Sequence, residues 1–384
     1  MVARRRFVQA VAGVAAALAF PPFTVAQAAG KPRVYPKKVG DLVERSLVID
    51  MLGPLKLDFQ PTAYSGRLTE AEAAMFRSSG VTAFHNSVGV GGAAAYDDAL
   101  QFLAAWSGFV GRSSDVMSLV GRIEDIDAAK SQRKIAVIMG LQNADEFREV
   151  KDVQAFYELG LRCAQLTYNE QNLIGSGSTD RIDGGISDYG VKIVQAMNEA
   201  GMLIDVSHSG DRTTLDAIEL SPKPIAFTHS NCRALNNHPR LKTDEAIVKL
   251  AKKGGVMGIT GVRNFVKDRE PTTVEDIVDH IDHVVKLVGI EHVGIGTDSD
   301  LKGYDQMPPE QYKQLKAGYK SSYAFRDKID TDGFNHPRRI FDLTDALVRR
   351  GYSDSNVQAI LGGNFRRLLA GTWTETQNKT GKTS

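Results

Sequence analysis

The sequence predicts an α/β protein built as a single eight-stranded (β/α)8 barrel, the TIM fold, and three observations predict it. A chain of 384 residues with 42% hydrophobic and 24% charged side chains suits one large globular core. Short runs rich in Val and Ile alternate with amphipathic helical patterns, the signature of βα units around a parallel sheet. Eight such runs occur, at 47–50, 81–87, 135–140, 162–167, 202–206, 224–228, 255–260 and 292–297, and eight strands close a barrel.

Ahead of the first run lies an expected export signal over residues 1–28: a basic start, an apolar stretch at 10–20, and Ala26-Gln27-Ala28 as the cleavage site. The apolar stretch is about eleven residues long, against the roughly twenty that a membrane-spanning helix takes. Arg4-Arg5-Arg6-Phe7-Val8 resembles the twin-arginine pattern, so the expected location is the periplasm. The barrel is expected over 29–374, followed by a polar, disordered tail at 375–384.

The formal charge is +1, and losing the three signal arginines turns it slightly negative. That balance excludes nucleic acid and stable membrane insertion as expected partnerships. Cys163 and Cys232 are the only cysteines. No disulfide framework is therefore expected, at most one bridge, and both read as small buried apolar residues.

Between the runs, Thr69 with Glu72 and Thr272 with Glu275 read as capping boxes that start helices. Long connections at 53–67, 171–187 and 301–334 each follow the C-terminal end of an expected strand. In a barrel that face carries the active site, and long loops there build or cover a pocket.

At or just past the strand ends stand Asp50, His85 with Asn86, Gln142, Tyr168 with Asn169, His208, His229, Thr260 and Asp298. Two histidines and an aspartate on the fifth, sixth and eighth strands form a metal-hydrolase constellation. The other histidines are assigned no chemistry: His280 and His283 share a helix, His292 begins a strand, His238 and His336 precede prolines, and His85 lacks a partner.

The stretches at 204–210 (IDVSHSG), 227–240 (FTHSNCRALNNHPR), 292–300 (HVGIGTDSD), 362–368 (GGNFRRL) and 166–172 (LTYNEQN) resemble the renal (membrane) dipeptidase family, in order along most of the mature chain. The resemblance is to a divergent bacterial member. It implies a barrel mouth holding two zinc ions, with His208 and His229 as the histidines of the second metal. It implies that Asp298 handles protons and that Arg240 grips a substrate carboxylate. A metal-bound hydroxide would attack a dipeptide amide, and pairing into homodimers is implied as well.

Several positions depart from that pattern. Where the family has Asp-x-His-x-Asp, this chain has Asp50-Met51-Leu52-Gly53-Pro54, and Leu52 and Pro54 cannot ligate a metal. Gln142 replaces a bridging glutamate, and Tyr168 replaces a substrate-facing histidine. Tyr168, Asn169, Gln142 and Arg240 are thus expected to bind substrate, with one zinc per chain or none on His208 and His229. Asp298, Gln142 or Asp50 would have to complete the metal set, although Asp50 lies about 6 to 7 Å deeper than Leu52 and reads as a structural acid. Three functions follow: a metallohydrolase of a dipeptide or related small amide, a metal-poor barrel repurposed to mature or bind a peptide-derived metabolite, or an interaction protein with a vestigial mouth.

Overall fold

The computed structural model describes residues 33–57 and 61–373; the expected export signal, cleavage site and tail lie outside them. Nine parallel strands form the sheet: β1 (Ile49–Asp50), β2 (Ala83–Val88), β3 (Met117–Leu119), β4 (Ile135–Leu141), β5 (Leu161–Gln165), β6 (Leu203–Asp205), β7 (Ala226–Ser230), β8 (Val256–Ile259) and β9 (Val293–Ile295). Eight of them close a ring, β1-β2-β4-β5-β6-β7-β8-β9 and back to β1. Each of the eight apolar runs supplies one strand of that ring. The ninth, β3, pairs with the start of β4 on the edge that β5 takes over further along. With three residues, only the first of them buried, it has no length in which to show a periodicity.

Because the sheet is parallel and covered by helices, the strands are buried on both faces; all seven residues of β4 are buried. Alternate side chains go to different cores, as the pleat requires. Ile49, Ala83, Ala136, Cys163, Leu203, Ala226 and Val256, at the starts of the strands, cluster with Phe365, Leu368, Leu369 and Trp373 at the chain's last helical turns. That cluster plugs the N-terminal end of the barrel, which leaves the C-terminal end for a site. The larger core, including Phe84, Val137, Met139 and Phe227, packs strands against helices.

The helix Glu70–Ser79 has the expected Thr69 and Glu72 capping box. The second box is shifted by one residue: Thr273 caps the helix Val274–Val288 with Asp276. Glu275 is instead engaged by Arg349 and Arg350, and Thr272 donates to the Arg269 carbonyl. Both cysteines are buried and free. No helix among the described residues is long and apolar enough to cross a membrane.

The connection after β9 is the longest over the mouth. It carries a helix, Pro309–Ala317, and two short 3-10 turns. Its Tyr323 and Ile329 join Leu241, Val262 and Phe265 in a small core of their own, so the segment is a packed lid.

Candidate active site at the barrel mouth

A continuous chain of hydrogen bonds crosses the tips of β5, β6 and β7. Asp205, wholly buried at the end of β6, accepts from the Ser207 amide and hydroxyl at 2.9 and 2.6 Å and from the Thr228 hydroxyl at 2.5 Å. The Thr228 oxygen lies 2.8 Å from His229 Nδ1, the two Nε2 atoms of His229 and His208 are 2.9 Å apart, and His208 Nδ1 is 2.7 Å from Asn169 Oδ1. The Thr228 proton goes to Asp205, so His229 Nδ1 donates to Thr228, and the Asn169 oxygen takes the Nδ1 proton of His208. Both rings are thereby oriented with Nε2 turned inward, the support that metal-ligating histidines have.

Burial holds both imidazoles well below their ordinary pKa, with the Arg240 charge adding to the effect. Two neutral rings presenting Nε2 lone pairs to one another call for a proton or cation between them. A catalytic zinc, however, ordinarily takes three protein ligands. Among the described residues no three His, Cys, Asp or Glu side chains are grouped to hold a metal.

Two of the three expected further ligands, Asp50 and Gln142, are engaged elsewhere. Asp50 accepts from the Thr297 amide and hydroxyl at 2.8 and 2.6 Å and lies 4.0 Å from Arg339, a buried acid that fastens β9 to β1. Gln142 donates to the Ser87 carbonyl at 3.3 Å and faces Gln165 at 3.5 Å. The described donor set, His208 and His229 without a grouped third ligand, does not fit a catalytic zinc centre, which leaves the lower of the two expected zinc counts, none, as the one these residues suit.

Beside this chain opens a cavity of about 370 Å³, lined by His208, Asn169, Tyr168, Gln142 and Asp298 among others. That volume suits a small organic ligand. Asp298 and Asn169 both hold left-handed backbone conformations, each with φ of 58°, an uncommon state for residues with a side chain. Burial pushes the Asp298 carboxyl up to about 7, the nearby Asp50 and Asp205 charges adding and Arg240 opposing. An acid so placed exchanges a proton near neutrality.

Arg240 takes a different place from the expected one. It is fully buried and absent from the cavity lining, its guanidinium donating to the carbonyls of Ser207 and His229. With both Nη groups on backbone it fastens the β6 and β7 tips. Lys242, two residues on, does the same: its ammonium donates to Val206 O at 2.6 Å, Ser209 O at 2.9 Å and Thr214 Oγ1 at 3.1 Å. His85 is also corrected, since its Nδ1 contacts the Met51 carbonyl at 2.7 Å. Gly140 makes room for that ring, because a Cβ there would lie 1.7 Å from His85 Nε2.

Sequence reading missed Lys242, Asp205 and the lid tyrosines Tyr304, Tyr319 and Tyr323. Asp205 stands in the IDVSHSG stretch, three residues before His208, and that spacing was its one available signal. The tyrosines fall in an aperiodic connection, and only folding brings them over the mouth. Tyr168 stacks on His208 with ring centroids 4.3 Å apart and shares a 2.7 Å hydrogen bond with Tyr319.

Residues 38–317 match the family described as membrane dipeptidase, peptidase family M19. The chain is 29% identical over 261 residues to the dipeptidase verJ of Clonostachys rogersoniana, covering 67% of this chain and 61% of that protein. The chain spans less than two thirds of the length of the curated relatives it matches. Among solved structures, an amidohydrolase from Pseudomonas aeruginosa is 30% identical with a TM-score of 0.77, covering 87% of this chain and 99% of that one. A metallopeptidase from Rhodobacter sphaeroides, solved with a phosphinate mimic of the dipeptide L-Ala-D-Ala, shares the fold at 18% identity and a TM-score of 0.68, covering 85% of this chain and 100% of that one. The curated relatives from Clonostachys rogersoniana, Claviceps purpurea and Schizosaccharomyces pombe are fungal, so the expectation of a bacterial member is not borne out. The chain belongs to the membrane dipeptidase family.

Proposed function

We propose that the protein is a dipeptidase-type hydrolase that cleaves the amide bond of a dipeptide or a related small amide in the cavity at the barrel mouth. The observation that carries this reading is Asp298: a carboxyl held near neutral pKa, in a constrained backbone conformation, in the wall of a cavity of dipeptide size. Such a group accepts a proton from an attacking water and returns it to the leaving amine. His208, fixed by Asn169 and stacked on Tyr168, presents a neutral ring to the same space. Gln142 and Asn169 supply amide groups for orienting the substrate. The lid limits access of bulk water to the reaction.

The test is release of free amine from a panel of dipeptides and small amides by the purified chain and by Asp298→Asn. Turnover that vanishes in the variant supports the reading; equal turnover in both overturns it.

A second reading rests on the missing third ligand: a metal-poor barrel that binds or matures a peptide-derived metabolite. Elemental analysis separates the two. One zinc per chain, lost in His208→Ala/His229→Ala, would contradict the donor set described above and restore the mononuclear metallohydrolase. Zinc far below one per chain leaves a non-metal hydrolase or a binding protein, which the amine assay then distinguishes.

We also infer export to the periplasm by the twin-arginine route. A mature N-terminus just after Ala28 is the expected result, and an intact N-terminus in the exported fraction would refute it.

A further inference from the structure

Much of the cavity wall is made of rings. Tyr168, Phe265, Tyr304, Tyr319, Tyr323 and Phe325 all line it. Tyr319 and Tyr323 have centroids 4.4 Å apart, Tyr323 and Phe325 4.9 Å, and Phe265 and Tyr323 5.3 Å. Cationic groups are scarce there: Lys320 lines the cavity but is 3.1 Å from Glu170, and the Arg240 guanidinium, which donates to the Ser207 and His229 carbonyls, reaches the lining only through its hydrogen bond with Tyr323.

The lid that carries the rings is anchored through its backbone. The Tyr323 carbonyl accepts from Asn264 Nδ2 at 2.7 Å and contacts His238 Nε2 at 2.9 Å. Arg263 Nε donates to the Asp330 carbonyl at 2.6 Å, and the Tyr312 hydroxyl to the Asp327 carbonyl at 2.8 Å. The small core that includes Leu241 and Ile329 packs the segment against the barrel. A preformed aromatic wall binds without an ordering cost, and rings reward a flat or bulky apolar partner beyond the area it buries.

We propose that this lid makes the cavity selective for a ligand with an aromatic or large apolar side chain, recognised by Tyr319, Tyr323 and Phe325. The inference rests on the reading of the cavity as a dipeptide-sized hydrolase site and names the class of substrate it takes. The lid rings, supplied by a connection that belongs to no strand, set specificity while the strand tips supply the proton chemistry.

The test is calorimetric binding of Phe-Ala, Ala-Phe and Ala-Ala, with amine release measured on the same samples. The better of the two Phe-bearing dipeptides should bind at least about tenfold more tightly than Ala-Ala. Tyr319→Leu should reduce that ratio to below about threefold, whereas Tyr319→Phe, which keeps the ring and loses only its hydroxyl, should retain it. Equal binding of all three dipeptides, or a ratio that survives in Tyr319→Leu, would overturn the inference. If Ala-Ala is hydrolysed as well as the others, the hydrolase reading stands and the aromatic selectivity falls. If no dipeptide binds or is cleaved, both fall.

Discussion

The two halves of the barrel mouth are built in opposite ways. Around β6 and β7 the buried polar groups form a nearly closed lattice: Asp205, Ser207, Thr228, His229 and His208 bond to one another, Arg240 and Lys242 cap the surrounding carbonyls, and Arg240 Nε is the one atom of these left without a partner. Around β2 and β4 buried polar atoms stand without partners, namely His85 Nε2, Asn86 Nδ2, Ser87 Oγ and both carboxyl oxygens of Glu146. The first half lies where the family motifs are intact; the second lies where Leu52, Pro54 and Gln142 have replaced expected ligands. A satisfied lattice rigidifies a site, whereas unpaired buried groups cost free energy. The difference teaches that this chain keeps a preorganised half-site and has let the other half become scaffold.

The largest test of that contrast is Asp298→Asn, which should lower turnover by about 10²- to 10⁴-fold if Asp298 is the proton carrier. Because its carboxyl sits at about 7 and must begin ionised to accept a proton, the wild-type rate should rise with pH through that value. A flat profile between pH 5 and 9 would break the assignment.

Next in size, Lys242→Met removes three buried hydrogen bonds, although Val206 O keeps the Ser209 amide and Ser209 O keeps the Thr214 hydroxyl, and should destabilise the fold by about 2 kcal/mol. Denaturant unfolding reads it, and a loss under about 1 kcal/mol would mean that the β6 lattice is not held from below.

On the other side the sign should reverse. Glu146 is buried without side-chain partners, and desolvation pushes its carboxyl well above the ordinary value. An acid whose folded pKa is raised loses stability as pH climbs above its unfolded value of roughly 4.3. Glu146→Leu should therefore stabilise at pH 7 by about 1 to 3 kcal/mol and flatten the decline above pH 5. Destabilisation would show that Glu146 has a structural partner and would erase the contrast.

Smallest of all, Ser87→Ala should change stability by less than about 1 kcal/mol, neutral or favourable. A clear loss by thermal melting would give the β2 tip an unrecognised role.

The sequence by itself determined the barrel. Strand runs such as 135–140 and 292–297 are apolar on both faces and stop at polar residues, and local chemistry of that kind survives in one dimension. It also placed polar side chains just past the strand ends, about half of which reach one cavity while Asp50, His85, Asn86, His229 and Thr260 lie outside its lining. Gln142, Tyr168, Asn169, His208 and Asp298 are those that line it. Tertiary structure alone decided what those groups do there. A buried side chain's role depends on partners far along the chain: Asp50 is claimed by Thr297 and Arg339, and Arg240 turns to carbonyls where a ligand carboxylate had been expected. The capping box stands at Thr273 and Asp276, while Glu275 is held by Arg349 and Arg350 from a distant helix. The lid tyrosines carry no local pattern, and their place over the site is set only when the packed core beneath them forms.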